Sequence, residues 1–89
     1  MSRGFGIIVH EQLPPSLRLV LDGYTFQIKD QSFLVSRSVD HMSNFVELDL
    51  LKNDNSGGSR KTLIPNNYIV AIVELREEQL SPGFLSDPD

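Results

Sequence analysis

Residues 33–75 read FLVSRSVDHMSNFVELDLLKNDNSGGSRKTLIPNNYIVAIVEL, and this stretch decides the fold. Phe33, Val35, Arg37 and Val39 share one parity against Leu34, Ser36 and Ser38, which is the two-residue period of a strand. After a polar turn at 40–44 the period returns, with Val46, Leu48 and Leu50 opposed to Phe45, Glu47, Asp49 and Leu51. The Gly, Ser, Asn and Asp content of 52–60 predicts a mobile hairpin connection. Residues 61–64 then form a short strand closed by Pro65, a residue suited to strand ends and sheet edges. Asn66, Asn67 and Tyr68 turn the chain into Ile69, Val70, Ala71, Ile72 and Val73, its most apolar run.

That last run breaks the alternation expected of a strand with one wet face. Either it is a central strand covered on both sides within one chain, or a neighbouring subunit covers its second face or open edge. An 89-residue chain has little material to cover both faces, which favours the subunit.

Upstream, Phe5 between Gly4 and Gly6, followed by Ile7, Ile8 and Val9, predicts a short N-terminal strand. Pro14 and Pro15 break it. Residues 17–21 admit two readings. Alternation of Leu17, Leu19 and Leu21 favours a strand. Pro15 before and Gly23 after are the marks of a short helix with Leu17, Val20 and Leu21 on one side. Tyr24, Phe26 and Ile28 alternate with Thr25 and Gln27 as a half-buried strand, and 29–32 is a polar turn. Residues 1–75 thus form one domain, and 76–89 a flexible tail in which Phe84 and Leu85 are the groups able to dock. The expected class is all-β: a strongly bent, five-stranded antiparallel sheet or small open barrel, with an extra N-terminal strand or a short helix.

Composition narrows the function. A single small core is often supplemented by disulfides, metals or oligomerisation. Cysteine is absent, and His10 and His41 are the only histidines, so oligomerisation is the expected supplement. A metal site from His10, Glu11, Asp40 and His41 would need the first strand beside the 40–44 turn, and no metal or other cofactor is expected. Twelve acidic against eight basic side chains, a net charge of −4, argue against a nonspecific coat on nucleic acid. No apolar run approaches the ~20 residues of a membrane span, and the first residues lack a signal-peptide core, which predicts a cytoplasmic protein. No nucleophile elbow, zinc-protease motif or phosphate-cradling glycine loop is present, so an enzyme is not expected.

Two segments carry a family resemblance. The residues DHMSN (40–44) followed by FVEL resemble the first motif of the Sm/LSm-like, Hfq-related barrels: an acidic residue, an Asn four positions on, then an apolar strand. PNNYIVAIVEL (65–75) resembles the end of their second motif, and the Gly-Gly loop lies where their variable hairpin lies. The likeness covers about half the chain. The family's strand-bending Gly is missing, with Ser36 or Ser38 in its place, and the Arg-Gly of the second motif is Pro65-Asn66, as in some bacterial Sm-like proteins with Ile-Pro there.

The resemblance implies edge-to-edge rings of about five to seven subunits, joined through 61–64 and 69–75, with RNA held by the two motif loops. It places Asn44 on a base edge, Asp40 holding the loop, Met42 stacking with His41 beside it, and Asn66 and Asn67 as further amide contacts. Arg37 and Lys61, with Arg60, are the candidate phosphate contacts, while loss of the motif Arg removes a cation–π element. The ordinary explanation for Asp40 and Asn44 is turn stabilisation. Two functions follow. The leading one is a homo-oligomeric ring binding single-stranded RNA, or DNA. The alternative, which the acidic balance and the missing Arg favour, is a protein–protein adaptor or structural ring component without nucleic-acid binding. An SH3-like or OB-like monomer leaves the apolar last strand unexplained.

Overall fold

Short strands alternate with tight turns along the chain, and every strand has an antiparallel partner in the computed structural model, which describes residues 4–75. β1 (Gly4–Val9) leads into a helix, α1 (Pro15–Leu21), and a 3-10 turn at Asp22–Tyr24. β2 (Thr25–Ile28), β3 (Gln31–His41), β4 (Phe45–Leu51) and β5 (Ser59–Pro65) follow, each paired to the next. A second 3-10 turn, Asn66–Tyr68, carries the chain into β6 (Ile69–Leu75).

The sheet order is β5-β4-β3-β1-β6, with β2 paired to β3 off this path. Leu34 faces both Ile7 and Thr25, and Ser36 faces both Phe5 and Leu50. A strand has two sides, so β2 and β4 lie along the flank of β3 opposite β1. The all-β class and the bent antiparallel sheet are as expected. The count is six strands, the N-terminal strand and a short helix are both present, and β5 and β6 leave the sheet open at its two ends. The proposed 76–89 tail, with Phe84 and Leu85, lies outside the described residues.

Of the two readings of 17–21, the strand that alternation favours is corrected: this segment is helical. Pro14 is extended (φ −55°, ψ 143°), Pro15 takes the first helical turn, and the Arg18 N–H reaches the Pro14 carbonyl at 3.0 Å. Proline is preset for the first turn, where its missing N–H costs nothing. Leu17 and Leu21, one turn apart on α1, pack on the core with Leu13 just ahead of the helix, while Leu19 is 79% exposed and Val20, expected on the buried side, is 49% exposed. Spacing by four outweighed the alternation because only the helix buries that leucine row.

The main core gathers Ile7, Leu21, Tyr24, Leu34, Val46, Leu48, Leu50 and Ile64. Leu34 and Val35 point to opposite faces of β3, as neighbours in a strand must. Val35 accordingly joins a second cluster with Phe26, Phe33, Leu51 and Leu75. The Phe26 and Phe33 rings stack there at 6.1 Å.

The bend of β3 falls where its pairing with β4 slips, between Ser36 and Val39. Ser36 is fully buried and is the one buried polar residue among those described. Its hydroxyl donates to the Ser38 carbonyl and accepts the Asp49 N–H at 2.9 Å and the Ser38 N–H at 3.3 Å. A bulge breaks ladder bonds, and this hydroxyl replaces them.

The expected mobile connection after β4 is heavily hydrogen-bonded. Lys52 N–H bonds the Gly58 carbonyl at 2.9 Å, and Asn53 N–H bonds the Gly23 carbonyl at 3.0 Å. The Asn53 amide donates to the Asp22 and Thr25 carbonyls at 3.2 and 2.8 Å. Gly57 has φ +80°, a left-handed conformation that suits glycine. Hydrogen bonds from Ser56, from its side chain first and then its backbone N–H, hold the Asp54 carboxyl below its usual value of 3.8.

Candidate interaction site

The strand-end turns that carry the sequence candidates converge. Asp40 and His41 end β3, and Met42, Ser43 and Asn44 form the turn into β4. The Met42 N–H bonds the Phe45 carbonyl at 2.8 Å, closing that turn. The Asn66 N–H bonds the Asn44 carbonyl at 3.0 Å, and the Asn66 side-chain amide reaches the Ser43 carbonyl at 3.2 Å. Asp40, His41, Met42, Asn44 and Asn66 therefore belong to one corner of the sheet, with Asn67 next along the turn.

Arg37 and Lys61 stand apart from that corner. The Arg37 guanidinium donates to the Gly57 carbonyl at 2.9 Å and is committed to the β4–β5 hairpin. Lys61 lies four residues from Pro65 along β5, roughly 13 Å at the rise of a strand, and its cross-strand partner is Asp49. The proposed phosphate contacts are thus not gathered around the amides. His10 and Glu11 follow β1, whose Ile7 faces Leu34, whereas Asp40 and His41 lie at the far end of β3. No group of three or more His, Cys, Asp or Glu able to hold a metal occurs among the described residues.

The pairing register adds residues that the sequence reading left aside. Val46, Leu48, Leu50 and Ile64 point into the core, so Phe45, Glu47, Asp49, Lys61, Leu63 and Pro65 face outward. One row across the outer face runs Asp40, Glu47, Leu63, and the next places Phe45 against Pro65. Phe45 is 42% exposed, Met42 46% and Leu63 50%. Asp40 and Glu47 stand directly opposite each other, an arrangement of like charges that destabilises a ladder. The signal in the sequence was Phe45, an aromatic on the polar parity of β4.

A separate cleft of about 480 Å³ runs between the end of β1, α1 and the β2–β3 hairpin, with His10, Glu11, Arg18, Asp22 and Asp30 on its walls. It contains none of the candidate nucleic-acid contacts. Arg18 is occupied there with the Glu11 carbonyl at 3.0 Å. Among the described residues no helix is long and apolar enough to cross a membrane.

Compared with known proteins, the chain matches no family model, no curated protein and no solved structure.

Proposed function

We propose that this chain is a small β-barrel adaptor that docks a partner protein on the outer face of β4 and β5. The observation that carries this reading is the exposed set Met42, Phe45 and Leu63 beside the like-charged pair Asp40 and Glu47. Such a surface suits an extended segment with an apolar anchor flanked by lysine or arginine. Its cation would relieve a repulsion already present in the free protein. Asp49 and Lys61 offset each other farther along the face, so the acidic character is concentrated at the Phe45 end.

Fluorescence anisotropy with defined peptides tests the reading. A leucine- and phenylalanine-bearing peptide flanked by lysines should bind, and the same peptide with glutamates should not. Phe45→Ser and Glu47→Lys should each abolish the binding while the barrel stays folded. Binding of both peptides alike, or of neither, overturns the proposal.

A second reading, single-stranded RNA or DNA bound by a homo-oligomeric ring, is favoured by the hydrogen-bonded union of the 40–44 and 66–67 turns. Asn44, Asn66 and Asn67 would meet base edges, with Met42 or His41 stacking. It ranks second because Arg37 is engaged elsewhere and the nearest charges are acidic. Oligo-uridine binding that fades with salt and with Asn44→Ala would reverse the order.

A further inference from the structure

The two ends of the open sheet are not alike. β5 carries Arg60 and Lys61, both exposed, and closes on Pro65, which has no N–H to offer. Charges and proline are the usual means of keeping an edge strand from pairing. β6 has the sequence IVAIVEL and pairs with β1 alone among the described strands. Ile69 and Ile72 pack on the main core yet stay only half-buried, while Val70 is 56% and Val73 50% exposed. Leu75 meets the second cluster from the other face. This edge is therefore apolar on both faces, lies over an unfinished flank of the core, and has one charge in seven residues.

We infer that β6 pairs with β6 of a second copy, antiparallel about a two-fold axis, so that the two sheets become one. The register supports an isologous partner. Val70 is the extra residue where the β1 pairing slips, because Ile8 faces Ala71 and Val9 faces Ile69. The regular part of the edge is thus 71–75. A two-fold axis at Ile72 sets Ile72 against its own copy and Ala71 against Val73 within the regular part, and leaves Glu74 beside the bulged, uncharged Val70. The two Glu74 side chains then lie four residues apart, about 13 Å along the strands, beyond the ~8 Å screening length at physiological salt. Self-pairing at this axis meets no like charge, and each copy covers the half-buried Ile72 of the other. A β5–β6 pairing would instead bring the Arg60, Lys61 and Pro65 edge against this apolar strand. The inference is independent of the docking face on β4 and β5.

Sedimentation velocity on the full chain over a concentration series tests it, together with hydrogen exchange. Twice the 10.0 kDa chain mass is expected. Amides of 71–75 should exchange more slowly as concentration rises, and those of 59–65 should not change. Each copy carries a net charge of −4, so added salt should tighten the dimer. Val73→Lys should weaken it about 100-fold or more with the sheet still folded by circular dichroism, and Ser59→Lys, at the exposed start of β5 on the other edge, should leave it unchanged. A monomer at all concentrations overturns the inference. So does a larger ring in which 59–65 is also protected, or a dimer that persists in folded Val73→Lys. Should Val73→Lys fail to fold, the exchange pattern of the unmodified chain decides alone.

Discussion

Replacing Ser36 by alanine removes a single buried oxygen, and the structure assigns that oxygen an unusual share of the fold. It is fully buried, donates to the Ser38 carbonyl and accepts the Asp49 N–H at 2.9 Å. In Ser36→Ala the Asp49 N–H and the Ser38 carbonyl lose their partner, as the Ser38 N–H loses its longer 3.3 Å contact, at a bulge where ladder bonds are already missing. A stranded buried donor or acceptor costs about 1–3 kcal/mol. Both groups are part-buried, and the pair together should cost about 2 kcal/mol. For a domain of this size that lowers Tm by about 8–16 °C. Ser36→Gly separates two explanations of the bend. If β3 bends only because a small residue stands there, glycine is neutral; if the hydroxyl holds the bulge, glycine is at least as damaging as alanine. Thermal and urea denaturation followed by circular dichroism measure both, with Ser38→Ala as the control because Ser38 contributes only backbone groups to the motif. Ser36→Ala and Ser36→Gly both within about 0.5 kcal/mol of the parent, the range of ordinary surface changes, would refute the reasoning.

Relief of the Asp40–Glu47 repulsion should make Asp40→Asn more stable by about 0.2–1 kcal/mol, and the gain read by urea denaturation should shrink in high salt. Leu21→Ala should cost about 2–5 kcal/mol, whereas Leu19→Ala should change stability by less than about 0.5 kcal/mol; equal costs would contradict the helical register of α1. The Asp54 carboxyl is held low by Ser56, so its contribution is present above the unfolded value of 3.8 and is lost as pH falls through the folded pKa. Ser56→Ala should move the Asp54 titration, followed by NMR, up towards 3.8, and an unmoved titration would show that the Ser56 hydroxyl is not the leading cause.

The strands were legible wherever one face is wet and the other dry. Val46, Leu48 and Leu50 against Glu47 and Asp49 could be assigned from period alone, but their register could not, because β5 begins at Ser59, two residues before the expected 61, and Leu51 faces Ser59. The helix was not, because Leu17, Leu19 and Leu21 satisfy a period of two while Leu13, Leu17 and Leu21 satisfy a spacing of four. Only the position of the core decides between them. Loop order was also hidden. Asn, Ser and Gly mark a turn by composition, but the bonds from Asn53 to Asp22 and Thr25 depend on a segment some thirty residues away.

The candidate site was half legible, and the missing half alters its chemistry. The likeness of 40–44 and 65–75 to a known family's motifs picked out Asp40, His41, Met42, Asn44, Asn66 and Asn67, which the structure brings to one corner because β4 and β5 are paired in full register from Phe45–Pro65 to Leu51–Ser59. What the pattern could not supply was the neighbourhood. Arg37 is three residues from Asp40 in sequence, yet the slip at Ser36 turns its guanidinium to the Gly57 carbonyl. Glu47, seven residues from Asp40, is placed directly opposite it by the same pairing. A corner read from sequence as amides with nearby cations is therefore amides and exposed apolar side chains beside two carboxylates. A phosphate brought there must be desolvated next to like charge, whereas a lysine or arginine would be drawn in and an aromatic or leucine covered by Phe45 and Leu63. That contrast in local charge, set by pairing and not by composition, is what ranks a basic protein segment above a nucleic acid as the partner of this face.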